Sequence, residues 1–163
     1  MKSLSKNDLR ALYQKWLDKY YPVRASWLAH EKKDDILCLV NHALTKWRGL
    51  RKDVLQKHEL TIDKETNYLM SGEEYILPIN GNSCSLCPVF FEESSDDSGN
   101  CPNCPLRLVL SDACDGSGQP YWIWRKIWDP EPMIRALELL VLILEKEIKN
   151  EPNSKMDSGV NSS

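Results

Sequence analysis

Residues 84–106 read CSLCPVFFEESSDDSGNCPNCPL. Two C-x-x-C pairs, Cys84/Cys87 and Cys101/Cys104, stand thirteen residues apart, and Cys114 follows nine residues after the second pair. Two thiols on one tight turn can face a single ion, and two such turns supply the four soft ligands of a tetrahedral Zn²⁺ site. Between positions 79 and 119 the large apolar residues are chiefly Leu86, Val89, Phe90, Phe91, Leu106, Leu108, Val109 and Leu110. That is too little apolar surface to offset the ordering entropy of the segment by itself. Zinc contributes on the order of 10 kcal/mol to small modules of this kind. The stretch therefore predicts a structural, closed Zn²⁺ site built from Cys84, Cys87, Cys101 and Cys104. Cys114 is a fifth candidate, either replacing one of the four or remaining a buried thiol. The gap is a little shorter than the roughly 15–20 residues of common four-cysteine sites. The Cys-Pro steps at 87–88, 101–102 and 104–105 keep an iron–sulfur cluster open as an alternative, although the compact C-x₂-C-x₂-C run is absent. Redox-active or simply buried thiols are the third reading.

Outward from this module the chain reads as helix. Leu9, Leu12, Tyr13, Trp16, Leu17 and Tyr20 fall on one stripe, with Ser5 or Asn7 to cap the start and Pro22 to end it. Val23–Glu31 reads as a connector or short helix. Ile36, Val40, Ala43, Leu44, Trp47, Leu50 and Val54 repeat at helical spacing, which predicts a second helix over about 33–57. Gly49 lies inside it, at a cost of about 1 kcal/mol relative to alanine, and signals a kink or close packing. Residues 61–70 read as helical with Gly72 as the stop, and 74–79 as a short extended piece. Downstream, Asp129-Pro130-Glu131 is a helix start, and the helix over about 130–150 is apolar almost all round between Leu137 and Leu144. That predicts burial on several sides or a partly exposed oligomer surface. The loop Glu92–Asn100 reads as mobile and the tail 151–163 as disordered. The expected architecture is mainly α: a single domain over 1–150 of three to four helices, with a loop-rich, ribbon- or knuckle-like zinc module inserted at 84–114.

The 163 residues carry a formal net charge of −3, unevenly spread. Positions 1–60 hold 13 lysines and arginines against 7 acids, and the remainder holds 8 against 17. The start of the chain shows no secretory apolar core. The apolar run Leu139–Leu144 is far short of the roughly 20 residues that span a bilayer. These features predict a soluble, cytoplasmic protein without a membrane partner, in a compartment where paired cysteines favour metal over disulfides.

Catalytic signatures are absent. His30, His42 and His58 sit in no H-E-x-x-H context, no H-x-E accompanies the cysteine pairs, and no Walker, G-x-G-x-x-G or G-x-S-x-G pattern occurs. Cys38 and His42 share a helix face, which reads as a small buried cysteine beside a partly exposed histidine rather than a metal pair. Two surfaces are candidates for binding. Lys46, Arg48, Arg51 and Lys52 surround Trp47 on the second helix, where phosphate contacts are physically feasible, although Trp47 itself falls on the apolar stripe. Trp122, Trp124 and Trp128 form an aromatic segment that either anchors a partner or wedges under the last helix.

The run Cys84-Ser85-Leu86-Cys87, Cys101-Pro102-Asn103-Cys104-Pro105-Leu106, Cys114 and Gln119-Pro120-Tyr121-Trp122-Ile123-Trp124 resembles a group of small uncharacterised proteins of bacteriophages and prophages. The resemblance covers about 84–128. It implies a phage accessory role in the bacterial host cell, such as binding and modulating a host or defence protein. The expected function is a non-enzymatic, zinc-stapled interaction protein. A nucleic-acid-binding regulator and an iron–sulfur redox protein are the alternatives.

Overall fold

Ser5 opens the first helix. Its hydroxyl accepts the Asp8 backbone N–H, while the Asp8 carboxylate accepts the Ser5 N–H at 3.0 Å, a reciprocal capping box. This helix, α1 (Lys6–Tyr20), turns its stripe inward and buries Trp16 completely. The computed structural model describes residues 3–90 and 101–151. The acidic loop and all of the tail after Glu151 lie outside the described residues.

After Pro22 the chain forms α2 (Ala25–Glu31), whose first N–H donates to the Tyr21 hydroxyl at 2.9 Å. Asp35 then caps α3 (Ile36–Gly49), accepting the Cys38 N–H at 3.0 Å. The expected single helix over 33–57 is two helices: α3 stops at Gly49, and α4 (Lys52–Lys57) restarts after it. The break has a packing cause. A Cβ on Gly49 would stand 2.6 Å from Tyr20 Cγ and 2.9 Å from Trp16 Cζ2, so α1 and α3 close to a distance only glycine permits. The Gly49 carbonyl is taken by the Trp16 indole N–H at 2.8 Å. Leu50 N–H turns back to the Trp47 carbonyl, and Arg51 adopts an extended backbone before α4 begins.

The helix expected over 61–70 is instead part of an antiparallel sheet in the order β1-β2-β3. Its strands are β1 (Leu60–Asp63), β2 (Tyr68–Ser71) and β3 (Glu74–Pro78). Leu60 pairs with Ser71 and Leu69 with Leu77, which puts Leu60, Leu69, Ser71 and Leu77 on buried sites at period two. Asp63 closes the β1–β2 turn by accepting from the Glu65 N–H and the Thr66 hydroxyl. Gly72, at φ +59, is the β2–β3 turn rather than a helix stop. A short apolar run fits both periodicities, and only the turn chemistry at 63–67 and 72 separates them. The extended reading of 74–79 agrees with β3.

A 3₁₀ turn at Gly81–Ser83, the one-turn α5 (Cys87–Phe90) and a 3₁₀ turn at Pro105–Leu108 follow. Then come α6 (Pro120–Ile127) and α7 (Glu131–Asn150). Asp129 accepts the Glu131 N–H at 3.0 Å, as its place before the helix requires. α7 crosses α3 and buries Met133, Ile134, Leu137 and Leu140 against it. Of the two expectations for this helix, burial on several sides does not hold and a partly exposed apolar face does, since Leu139 and Leu142 are 49% and 64% exposed. The protein is mostly helical with one small sheet. No helix among the described residues is long and apolar enough to cross a membrane.

Candidate metal centre

The first cysteine turn is built onto α3 from both sides of Cys84. Ser83 offers its carbonyl and hydroxyl oxygens to the Lys46 ammonium at 3.2 and 3.1 Å. Ser85 donates its hydroxyl to the Leu39 carbonyl at 2.6 Å. Both serines are fully buried. Leu86 enters the core, and α5 carries Cys87 through one turn, with Phe90 half-buried beside it. The second turn closes by Cys104 N–H to the Cys101 carbonyl, and Arg107 donates its Nε–H to that same carbonyl at 3.3 Å. Pro105 starts the 3₁₀ turn that buries Leu106. Cys114 is tied to the aromatic segment, because its carbonyl accepts the Tyr121 N–H at 2.8 Å.

These contacts bring all five sequence-selected thiols to one place. Cys84, Cys87, Cys101, Cys104 and Cys114 line a single small pocket of about 20 Å³, with Leu86, Phe90 and Leu106 as its apolar wall. Each is half-buried and unpaired by disulfide. Among the described residues no three histidine, cysteine, aspartate or glutamate side chains stand in an arrangement that could hold a metal ion. The donor set nonetheless has the chemistry of a soft divalent cation.

Protonation is uneven across the group. A hydrogen bond from Cys87 holds the Cys84 thiol well below the ordinary thiol range, with Lys46 acting in the same sense. The same bond pushes Cys87 upward. Burial raises Cys101, Cys114 and Cys104, the last to about 12. Of the five thiols Cys84 is the one shifted toward the thiolate, and an ion bound by four sulfurs would have to displace the protons of the others.

No protein-family model matches this chain, and no curated protein or solved structure matches it either.

The other sequence-selected residues scatter. Lys46 is 1% exposed, so it is no part of a basic surface. Arg48 pairs with Glu138 at 2.8 Å and Arg51 with Glu131 at 2.6 Å, both across to α7. Lys52 alone of the four is exposed without an ion pair among the described residues. Trp47 is buried, as its stripe position predicts, and Trp124 packs edge-on against it at 5.2 Å. Trp128, half-buried, stacks edge-on against Trp124, while Trp122 points away and is 38% exposed. The aromatic segment is thus mainly a wedge, with Trp122 at its outer edge. The Cys38/His42 reading is reversed: His42 is buried with its Nε2 at 2.7 Å from the Val23 carbonyl, and Cys38 is half-buried.

Sequence reasoning missed Ser83, Ser85 and the true place of Lys46. The signal for Lys46 was available: it lies three residues after Ala43 and four before Leu50, on the buried stripe rather than beside it.

Proposed function

We propose that this chain is a non-enzymatic, zinc-stapled interaction protein, of the accessory type that binds and modulates a host or defence protein. The observation that carries the zinc part is the convergence of five thiols on one pocket of about 20 Å³. In this reading Cys84, Cys87, Cys101 and Cys104 hold the ion and Cys114 stands as a spare thiol beside them. The ion joins the two cysteine turns, and it acts as a staple rather than a reaction centre, because four sulfurs leave no open position for substrate. The interaction part is supported by Leu139 and Leu142, which share one exposed face of α7.

Metal analysis of the purified protein tests the staple: about one equivalent of zinc per chain in a colourless sample is expected. A brown protein absorbing in the visible would replace zinc with an iron–sulfur cluster. Cys84→Ser and Cys104→Ser are expected to lose the metal, and unchanged zinc content would overturn the ligand set. Leu139→Glu/Leu142→Glu is expected to abolish capture of the partner at unchanged zinc content. Capture that survives this double change would rule out the α7 face.

A further inference from the structure

Lys46 is the least expected buried group in the molecule. It occupies the apolar stripe of α3, where a leucine would bury without electrostatic cost, and it is 1% exposed. Its ammonium has two neutral oxygen partners, both from Ser83, and the Trp47 ring at 5.1 Å. It has no carboxylate partner among the described residues. An enclosed charge without a counter-charge is strongly unfavourable, and neutral hydrogen bonds compensate it only in part.

The cavity that Lys46 lines leads to the cysteines. Its volume is about 480 Å³, and its wall also carries Cys84, Cys87, Cys101 and Cys114. Asp115 is the other charged residue on that wall, but it is exposed to solvent. Four cysteine thiolates around one Zn²⁺ carry a net charge of about −2. Such a centre, set in an apolar wall, needs a cation close by as much as Lys46 needs an anion.

We propose that Lys46 is the built-in counter-cation of the thiolate centre, held by Ser83 so that its charge offsets that of the zinc-bound cysteines. This inference rests on the zinc reading above. It makes Lys46 a positioning residue: it touches no ligand orbital of the metal, and acts through the charge it places beside the sulfurs. Ser83 and Ser85 flank Cys84 in sequence and bind α3 on either side of it, so the lysine and the first cysteine turn are fixed to the same helix.

A counter-cation has a signature that a structural tether lacks. Removing it should weaken the metal-bound form more than the metal-free form, because the zinc-bound sulfurs carry the larger negative charge. The full chain is loaded with Zn²⁺ and challenged with the chromogenic chelator 4-(2-pyridylazo)resorcinol, and thermal unfolding is followed with and without the metal. Lys46→Met is expected to speed zinc transfer about 10- to 100-fold, the range seen when outer-shell partners of metal sites are removed. The metal-free variant is expected to lose less thermal stability than the zinc-loaded one. Lys46→Arg, which keeps the charge, and Asp115→Asn should both hold zinc nearly as the wild type does. Ser83→Ala keeps the charge and loses one tether, and should also retain zinc.

Equal zinc retention by wild type and Lys46→Met would overturn the inference. So would destabilisation of both forms alike, or a Ser83→Ala loss as large as that of Lys46→Met, since either assigns the effect to the tether. A wild-type chain that takes up no zinc fails at the earlier step and overturns the zinc reading itself.

Discussion

Trp16 donates its indole N–H to the Gly49 carbonyl across 2.8 Å, at the point where α1 lies closest to the end of α3. A Cβ at position 49 would meet Tyr20 Cγ at 2.6 Å and Tyr20 Cβ at 2.7 Å. Neither Tyr20 Cβ nor the Trp16 ring can yield without moving α1. Gly49→Ala therefore sets a helix-propensity gain of about 1 kcal/mol against an overpacking cost of about 1–3 kcal/mol. The packing cost is expected to win, lowering the urea midpoint without changing the slope of the transition. A variant as stable as the wild type would show that the two helices can part at no cost.

Asn67 sits at φ +58 between β1 and β2 and ties three elements together. Its carbonyl accepts the Ile79 N–H at 2.8 Å, and its side-chain amide donates to the Ile79 carbonyl and, at 2.9 Å, to the Tyr121 hydroxyl. Its Oδ1 accepts the Trp124 indole N–H at 3.3 Å. Asn67→Gly keeps the left-handed backbone at no steric cost but leaves buried polar groups unmet, a loss of about 1–3 kcal/mol. Asn67→Asp is expected to be worse, because it aims a buried carboxylate at the Ile79 carbonyl. Chemical denaturation ranks the three proteins, and an aspartate variant more stable than the glycine one would contradict this account of the network.

What the sequence revealed, and what it hid, follow from the range of each interaction. The α1 stripe, the Pro22 stop and the start at Asp129 were legible because caps and periodicity act within a few residues. The gathering of five thiols was legible as a spacing. The break at Gly49 was not, since it depends on Tyr20, which lies on another helix. Strands over 60–78 were read in part as helix because four-residue apolar runs carry no decisive period. Lys46 and the arginines at 48 and 51 looked alike in sequence, yet one faces the core and the others face α7. That distinction needed the partner helix in place.

Arg51 grips Glu131 with two hydrogen bonds, at 2.6 and 3.3 Å, and so joins the start of α4 to the start of α7. The guanidinium holds the Glu131 carboxyl below its usual 4.5. A carboxylate with a depressed folded pKa adds stability above its unfolded pKa and loses it as pH falls through the folded value. Both side chains are more than a third exposed, so solvent screening limits the pair to less than about 1 kcal/mol. The difference in stability between wild type and Glu131→Gln should therefore be small at neutral pH and shrink further as pH falls below 4.5 and through the depressed folded value. A difference that grows on acidification would reverse the sign of the argument.

Ser85 decides how firmly the first cysteine turn is seated. Its hydroxyl reaches the Leu39 carbonyl at 2.6 Å from a fully buried position, one residue after Cys84 and two before Cys87. Ser85→Ala removes the donor and leaves a small void, a cost of about 1 kcal/mol. Ser85→Val adds bulk that the site must accommodate by moving the turn off α3, with a further overpacking cost of about 1–3 kcal/mol. The effect should be local before it is global. Amide hydrogen exchange over residues 81–90 is expected to accelerate in both variants, more in the valine one, while the β1–β2 ladder keeps its protection. Uniform acceleration across the chain would mean that the turn and the core unfold as one unit, and unchanged exchange at 81–90 would mean that the cysteine turn is held by something other than its bond to α3.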